Sequence, residues 1–146
     1  MGIVGTGYEG LDLEQFVARL VEARIDVLAD VRLTPMSRKR GFSKTALSQA
    51  VSAAGIEYLH LRELGNPKAN RPGFSGDERE LSDARAGYAN LLDNEAAEAA
   101  LDQLAALAKQ NRVAVMCFEA NEERCHRHVV LSEVRRRLTE ELAVPD

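Results

Sequence analysis

Short apolar runs alternate with amphipathic stretches along the whole chain, and that alternation limits the architectures open to it. Ile3 to Thr6 is an apolar run stopped by Gly7. Asp12 with Gln15 three residues later has the form of a capping box, and Leu13, Phe16, Val17, Leu20 and Val21 then fall on one helical face. Ile25 to Val31 reads as a second strand. Ser43 stands where an N-cap would open a helix carrying Ala46, Leu47, Ala50, Val51 and Ala54, which Gly55 ends. Ile56 to Leu61 is the third strand, residues 83 to 109 are Ala-rich and helical, and Val113 to Cys117 is the fourth strand. A last helix places Arg127, Val130, Leu131, Val134 and Leu138 on one face. Strands separated by helices must run parallel, with crossovers covering both faces of the sheet. The expected fold is therefore α/β: a single small three-layer domain over residues 1–146, with a mostly parallel sheet of about four strands and flanking helices.

Composition agrees with one domain. The chain has 146 residues, 45% hydrophobic and 29% charged, enough for one core and too little for two. The opening Met1-Gly2-Ile3-Val4 is too short an apolar run for a signal peptide, and no stretch approaches the length of a membrane span, so the expected setting is the cytoplasm with no membrane partner. Two cysteines do not make a disulfide framework, although a redox pair stays open. Residues 62–82 contain Gly65, Pro67, Pro72, Gly73 and Gly76 and read as a long basic loop or lid.

Charge is unevenly spread. Residues 32–76 carry Arg32, Arg38, Lys39, Arg40, Lys44, Arg62, Lys68 and Arg71 against Glu57 and Glu63, a local excess of +6 in a chain of net charge -4. Such focusing suits an anionic ligand, with a solvated surface as the alternative. In parallel sheets ligands bind beyond the strands' carboxyl ends. Those ends are followed here by Gly7-Tyr8-Glu9-Gly10, Arg32, Arg62-Glu63 and Cys117-Phe118-Glu119. Asp30 and Arg32 alternate along the strand and so face the same way, which makes an internal contact between them the simplest expectation.

The segments Gly7-Tyr8-Glu9-Gly10, Asp30-Val31-Arg32 with Pro35, Ser37-Arg38 and Gly41-Phe42-Ser43, Gly55-Ile56-Glu57-Tyr58 leading to Leu64-Gly65, and Met116-Cys117-Phe118-Glu119 with Cys125-His126-Arg127 resemble, in order, the family of domain of unknown function 488. The resemblance implies a small α/β domain and no agreed activity. Where that family has Pro after its Leu-Gly pair, this chain has Asn66-Pro67, so the basic stretch Lys68 to Arg71 is a candidate for tuning ligand choice.

Candidate chemistry centres on the strand ends. Glu119, Cys125 and Glu9 are the candidate catalytic groups, the two carboxylates as an acid and base pair or a nucleophile with a helper. Tyr8, Arg32, Arg38, His126 and Arg127 are the candidate ligand-binding groups, with Arg32, Arg38 and Arg127 expected around one anion. Cys125, at a helix start beside Arg124 and His126, can serve as a thiolate nucleophile, and Arg127 as an anion ligand. Cys117, Cys125, His126 or His128 could bind zinc, but the spacing lacks the paired close ligands of structural sites, so neither a metal nor another cofactor is expected. A packing cysteine and a capping arginine are the plain alternative.

These residues point first to an enzyme, a hydrolase or transferase, acting on a small phosphate-bearing ligand such as a nucleotide. A nucleotide or nucleic-acid binding module without catalysis is the second reading, with Tyr8, Tyr58, Phe42 and Phe74 available for stacking. The third is thiol or sulfur transfer through Cys117 or Cys125, since the Asp30-Val31-Arg32 strand also resembles the rhodanese fold and Cys117 would stand for its strand-end cysteine. Against that, Glu119, Glu122 and Glu123 crowd the loop with negative charge. Oligomeric state is open.

Overall fold

The computed structural model describes residues 1–143. Strands β1 (Gly2–Gly7), β2 (Val27–Asp30), β3 (Glu57–His60) and β4 (Arg112–Cys117) form one sheet in the order β1-β4-β2-β3, every neighbouring pair parallel. The chain's last strand is thus an inner one, set between β1 and β2, with Gly7 opposite Cys117 and Asp30 opposite Met116.

Helices cover both faces. Helices α1 (Leu13–Glu22) and α2 (Lys44–Ala53) pack on one side through Phe16, Leu20, Leu47 and Val51, which meet Leu28, Ala114 and Met116 of the sheet. Helices α3 (Glu78–Leu91), α4 (Glu95–Gln110) and α5 (Arg127–Ala143) cover the other, against Val27, Ala29, Val113, Val115 and Cys117. The two-residue repeat of a strand sorts these sets. It puts Cys117 on the α5 side, and Asp30, in step with Leu28, on the α1 side.

Local signals in the sequence explain most boundaries. The α1 capping box forms as expected, Gln15 N–H donating to Asp12 Oδ1 at 2.8 Å and Asp12 N–H to Gln15 Oε1 at 2.9 Å. Ser43 precedes α2 without capping it, because its hydroxyl instead accepts from Ser37 N–H at 3.1 Å and ties down the preceding loop. The Ala-rich stretch is two helices. Asn94 interrupts it and caps α4 through Ala97 N–H, while α3 starts earlier than expected, at a second capping box made by Asp77 and Glu80.

The basic segment after β3 carries local structure of its own. It folds as three 3-10 turns, Arg62–Leu64, Lys68–Asn70 and Pro72–Ser75. Leu64 and Phe74 enter the core, Tyr88 Oη donates to Leu64 O at 2.6 Å, and Arg124 Nη1 donates to Gly76 O at 2.6 Å. Backbone groups satisfied in this way tie the segment to the core, and its Asn66, Arg71 and Phe74 form one wall of the strand-end pocket. No helix among the described residues is long and apolar enough to cross a membrane.

Candidate functional site

A pocket of about 190 Å³ opens at the carboxyl end of the sheet, where the chain segments after β1, β2 and β4 meet the wall after β3. Tyr8, Arg32, Asn66, Arg71, Cys117, Glu119 and His126 line it. That volume is below the roughly 300 Å³ at which pockets begin to enclose whole ligands, so it fits a small anion or the reacting end of something larger.

Cys117 closes β4 and is joined to Cys125 as a disulfide across the β4–α5 loop. Close approach of backbone makes this junction. A Cβ on Gly7 would lie 1.9 Å from Glu119 O, so only glycine at the end of β1 lets the loop pass this near the sheet. Glu9 secures it from the other side, its Oε1 accepting from Ala120 N–H at 3.0 Å. Helix α5 begins at Arg127, two residues later than the Cys125 expected from sequence, with the Cys125 carbonyl accepting from His128 N–H.

Arg127 carries the sharpest electrostatic feature. Its side chain is 1% exposed, and Nη1 donates to Cys117 Sγ at 3.1 Å while Nη2 donates to Ala120 O at 3.3 Å. Nε has no partner. Among the described residues no carboxylate forms an ion pair with it. Burial lowers its pKa, against the more distant charges of Glu122 and Glu119. A buried guanidinium without a paired anion is costly, and the Cys117 sulfur beside it becomes an atom able to take negative charge once the disulfide is reduced. Glu119 Oε2 lies 3.3 Å from the same sulfur. The cationic support expected for Cys125 is therefore given to Cys117.

His126 sits beneath the pair. Its Nε2 is 2.8 Å from Val31 O, and because a carbonyl only accepts, Nε2 bears the proton and Nδ1 presents a lone pair to Cys125 Sγ at 3.7 Å. Burial, with the charges of Arg71 and Arg127, lowers its pKa to about 4, outweighing the Val31 hydrogen bond and Asp30. The folded protein thus refuses a proton that an unfolded histidine accepts below about 6.5. Stability contributed by neutral His126 is complete above that value and lost as pH falls toward about 4, by up to about 3 kcal/mol. In urea unfolding of the metal-free protein, His126→Gln, whose amide can still donate to Val31 O, is expected to flatten the acid limb. Equal slopes in the two proteins would contradict the assignment.

Across the pocket lies a second buried cluster. Asp30 takes three hydrogen bonds from the Arg32 side chain, through Nε at 2.9 and 3.1 Å and Nη2 at 2.7 Å, and one from Tyr58 Oη at 2.5 Å. Arg32 Nη1 donates to Phe42 O at 2.6 Å and Tyr8 Oη at 3.2 Å. Burial works to lower the Arg32 pKa, and the Asp30 bonds and charge reverse that and raise it. Burial and Asp30 also raise the Tyr58 phenol. Of the five guanidinium N–H groups of Arg32, one stays free for a ligand.

Several sequence expectations change here. Arg32, Arg38 and Arg127 do not surround one anion, because Arg38 is exposed and outside the pocket lining, and Arg127 lies behind Cys117. Glu9 is exposed and braces the loop instead of facing Glu119 across the pocket. Tyr8 does line the pocket, but its ring is stacked on Phe42 at 4.3 Å and capped edge-on by Phe118, so with Phe42 and Phe74 buried the surface expected to stack bases is used by the core. Arg71 and Asn66, expected only as part of a stretch that tunes ligand choice, line the pocket directly. Arg71 Nε donates to Asn66 O at 2.9 Å, and among the described residues its terminal nitrogens have no hydrogen-bond partner. The Asn66-Pro67 departure and the nearby cations were the only sequence signals for them.

The model of a family described as Domain of unknown function DUF488 matches residues 12–134. Two crystal structures of a "Putative phosphatase (DUF442)" from Shewanella putrefaciens CN-32 are similar at 15% and 14% identity. The first match covers 93% of this chain and 87% of that one with a TM-score of 0.41, the second 97% and 75% with 0.44. No curated protein matches.

Proposed function

The chain belongs to the DUF488 family, and from that premise we propose that it is a thiol-dependent enzyme in which Cys117 exchanges sulfur bonds with a small anionic substrate and Cys125 resolves the product. One observation carries this reading: a buried Arg127 donates to Cys117 Sγ at 3.1 Å while Cys125 stands within bonding reach of the same atom. A thiolate is the form that attacks, and a fixed cation beside it favours that form.

The cycle balances. The Cys117 thiolate attacks one sulfur of a disulfide R–S–S–R′, the S–S bond breaks, and R′S⁻ leaves to take a proton from water. Cys125, as thiolate, then attacks Cys117 Sγ, forms the intramolecular disulfide and expels RS⁻, so the cysteine pair is oxidised by two electrons and the substrate reduced by two. Two equivalents of a low-molecular-weight thiol restore the pair, the first attacking the Cys117–Cys125 bond and the second displacing the mixed disulfide, and leave as their own disulfide. Arg71 and the free N–H of Arg32 are placed to hold an anionic group of the substrate, phosphate included.

Phosphoryl transfer on Cys117 fits less well. In the loop after β4 the N–H groups of Ala120, Glu123, Arg124 and Cys125 are bonded within the protein. Glu119, Glu122 and Glu123 add negative charge there. A phosphate would find those four amides already used and the sign of the nearby charge unfavourable.

Glutathione disulfide is the probe. Reduced, metal-free protein should convert to the Cys117–Cys125 disulfide, read by peptide mapping, and Cys125→Ser should stop with glutathione on Cys117. Cys117→Ser should slow the reaction by about a thousandfold or more, the scale for losing a covalent nucleophile. An adduct found first on Cys125, or a wild-type rate no faster than that of free cysteine, would overturn the reading.

A further inference from the structure

We propose that the reduced protein holds a soft divalent metal of the zinc class through Cys117 Sγ, Cys125 Sγ and His126 Nδ1, with its fourth coordination position facing the strand-end pocket. The inference rests on the same cysteine pair as the thiol reading but not on that reaction taking place.

All three residues are buried, and their ligand atoms lie within 4.8 Å of one another. In a tetrahedron with bonds of roughly 2.3 Å to sulfur and 2.0–2.1 Å to nitrogen, ligand atoms stand about 3.6–3.8 Å apart. Cys125 Sγ and His126 Nδ1 are already 3.7 Å apart. The Cα atoms of the two cysteines are 7.6 Å apart, wider than the roughly 4.4–6.8 Å usual for a bonded pair, so an atom can sit between the sulfurs when they part. The sequence spacing argued against a metal because it lacks two close ligands. The fold supplies them by returning the loop to the end of β4.

The imidazole is prepared for this task. Val31 O fixes the proton on Nε2 at 2.8 Å, which leaves Nδ1 as the free donor and supplies the carbonyl partner that metal-bound histidines normally have. Two thiolates and an imidazole select a borderline-soft ion over magnesium or calcium. Binding takes both sulfurs as thiolates and releases any proton still on them, and two thiolates neutralise the dication, so the Arg127 bond to Cys117 can persist beside it. Glu119, 3.3 Å from Cys117 Sγ and lining the pocket, is placed to take the fourth position or to orient a water there. Three protein ligands with one place open is the arrangement of a reactive metal site rather than a closed structural one.

The test uses the full chain, stripped with chelator and kept reduced, titrated with Zn²⁺ against a chromophoric competitor and with Co²⁺ as a spectroscopic probe. The expected result is one metal per chain, protection of both thiols from a thiol reagent, and thiolate-to-cobalt charge-transfer bands. The disulfide form should take up none. Cys125→Ser and His126→Gln, the latter still able to bond Val31 O, should each weaken binding by more than the roughly 10- to 100-fold typical of losing an outer-shell partner. Cobalt bound without charge-transfer bands, or affinity unchanged in either variant, would overturn the site. Glutathione disulfide exchange in metal-free protein separates the two readings: exchange without zinc uptake removes the metal site alone, and zinc uptake without exchange supports the site while removing the thiol reading.

Discussion

Asp30→Asn should cost about 3–5 kcal/mol of unfolding free energy, the scale for stripping one partner from a buried ion pair. Asp30 is fully buried and is the carboxylate in ion-pair contact with Arg32, whose own side chain is nearly as enclosed. Losing that charge leaves a buried guanidinium with neutral acceptors alone, Phe42 O, Tyr8 Oη and the one amide oxygen, sets an amide N–H2 against its other donors, and weakens the acceptor that Tyr58 uses. The amide keeps the shape of the carboxylate, so the loss reports charge rather than packing. Replacing both residues, Asp30→Asn with Arg32→Met, should recover most of the stability, because no uncompensated charge then remains buried. Urea unfolding of the wild type and the two variants measures this. A single variant within about 0.5 kcal/mol of the wild type would place Asp30 outside the stability account.

Arg127→Met should act in the opposite way, harming chemistry and sparing the fold. The wild-type guanidinium is buried, makes no ion pair among the described residues and leaves Nε unbonded, so an apolar chain of similar length relieves a desolvation cost. Stability should hold or rise. The lost contact is the charge-assisted bond to Cys117 Sγ, and bonds to charged groups are worth about 1.5–3 kcal/mol. Attack by Cys117 at neutral pH should therefore slow by about 10- to 100-fold. Cys125, whose sulfur faces the His126 ring rather than the guanidinium, should change little.

The layers of the fold were legible because they depend on local pattern. Val113 to Met116 is buried on both faces and reads as a continuous apolar run, and the Asp12 and Gln15 box needs only a spacing of three. Asn94 was hidden by an alanine-rich stretch whose helical period continues past the break. The convergence of strand ends was legible too, since a parallel sheet sends them all to one edge. Which side chains turn into the pocket was not. Arg38 and Arg71 are both cations in glycine- and proline-bearing loops, and only the packing of Leu64 and Phe74 directs the second of these loops to the site. The link from Arg127 to Cys117 spans a loop whose path depends on Gly7 having no side chain, a tertiary fact with no local signature. Sequence placed the reactive thiol at Cys125 by its nearness to a helix start. The helix begins later, and the end of β4 receives the cation.

Iodoacetamide labelling at neutral pH, followed by peptide mass spectrometry on the reduced, metal-free protein and on Arg127→Met, tests that placement directly. Cys117 should label faster than Cys125 in the wild type and lose about 10- to 100-fold of its rate in the variant, with Cys125 unchanged. Faster labelling of Cys125, or a Cys117 rate indifferent to Arg127, would contradict the account.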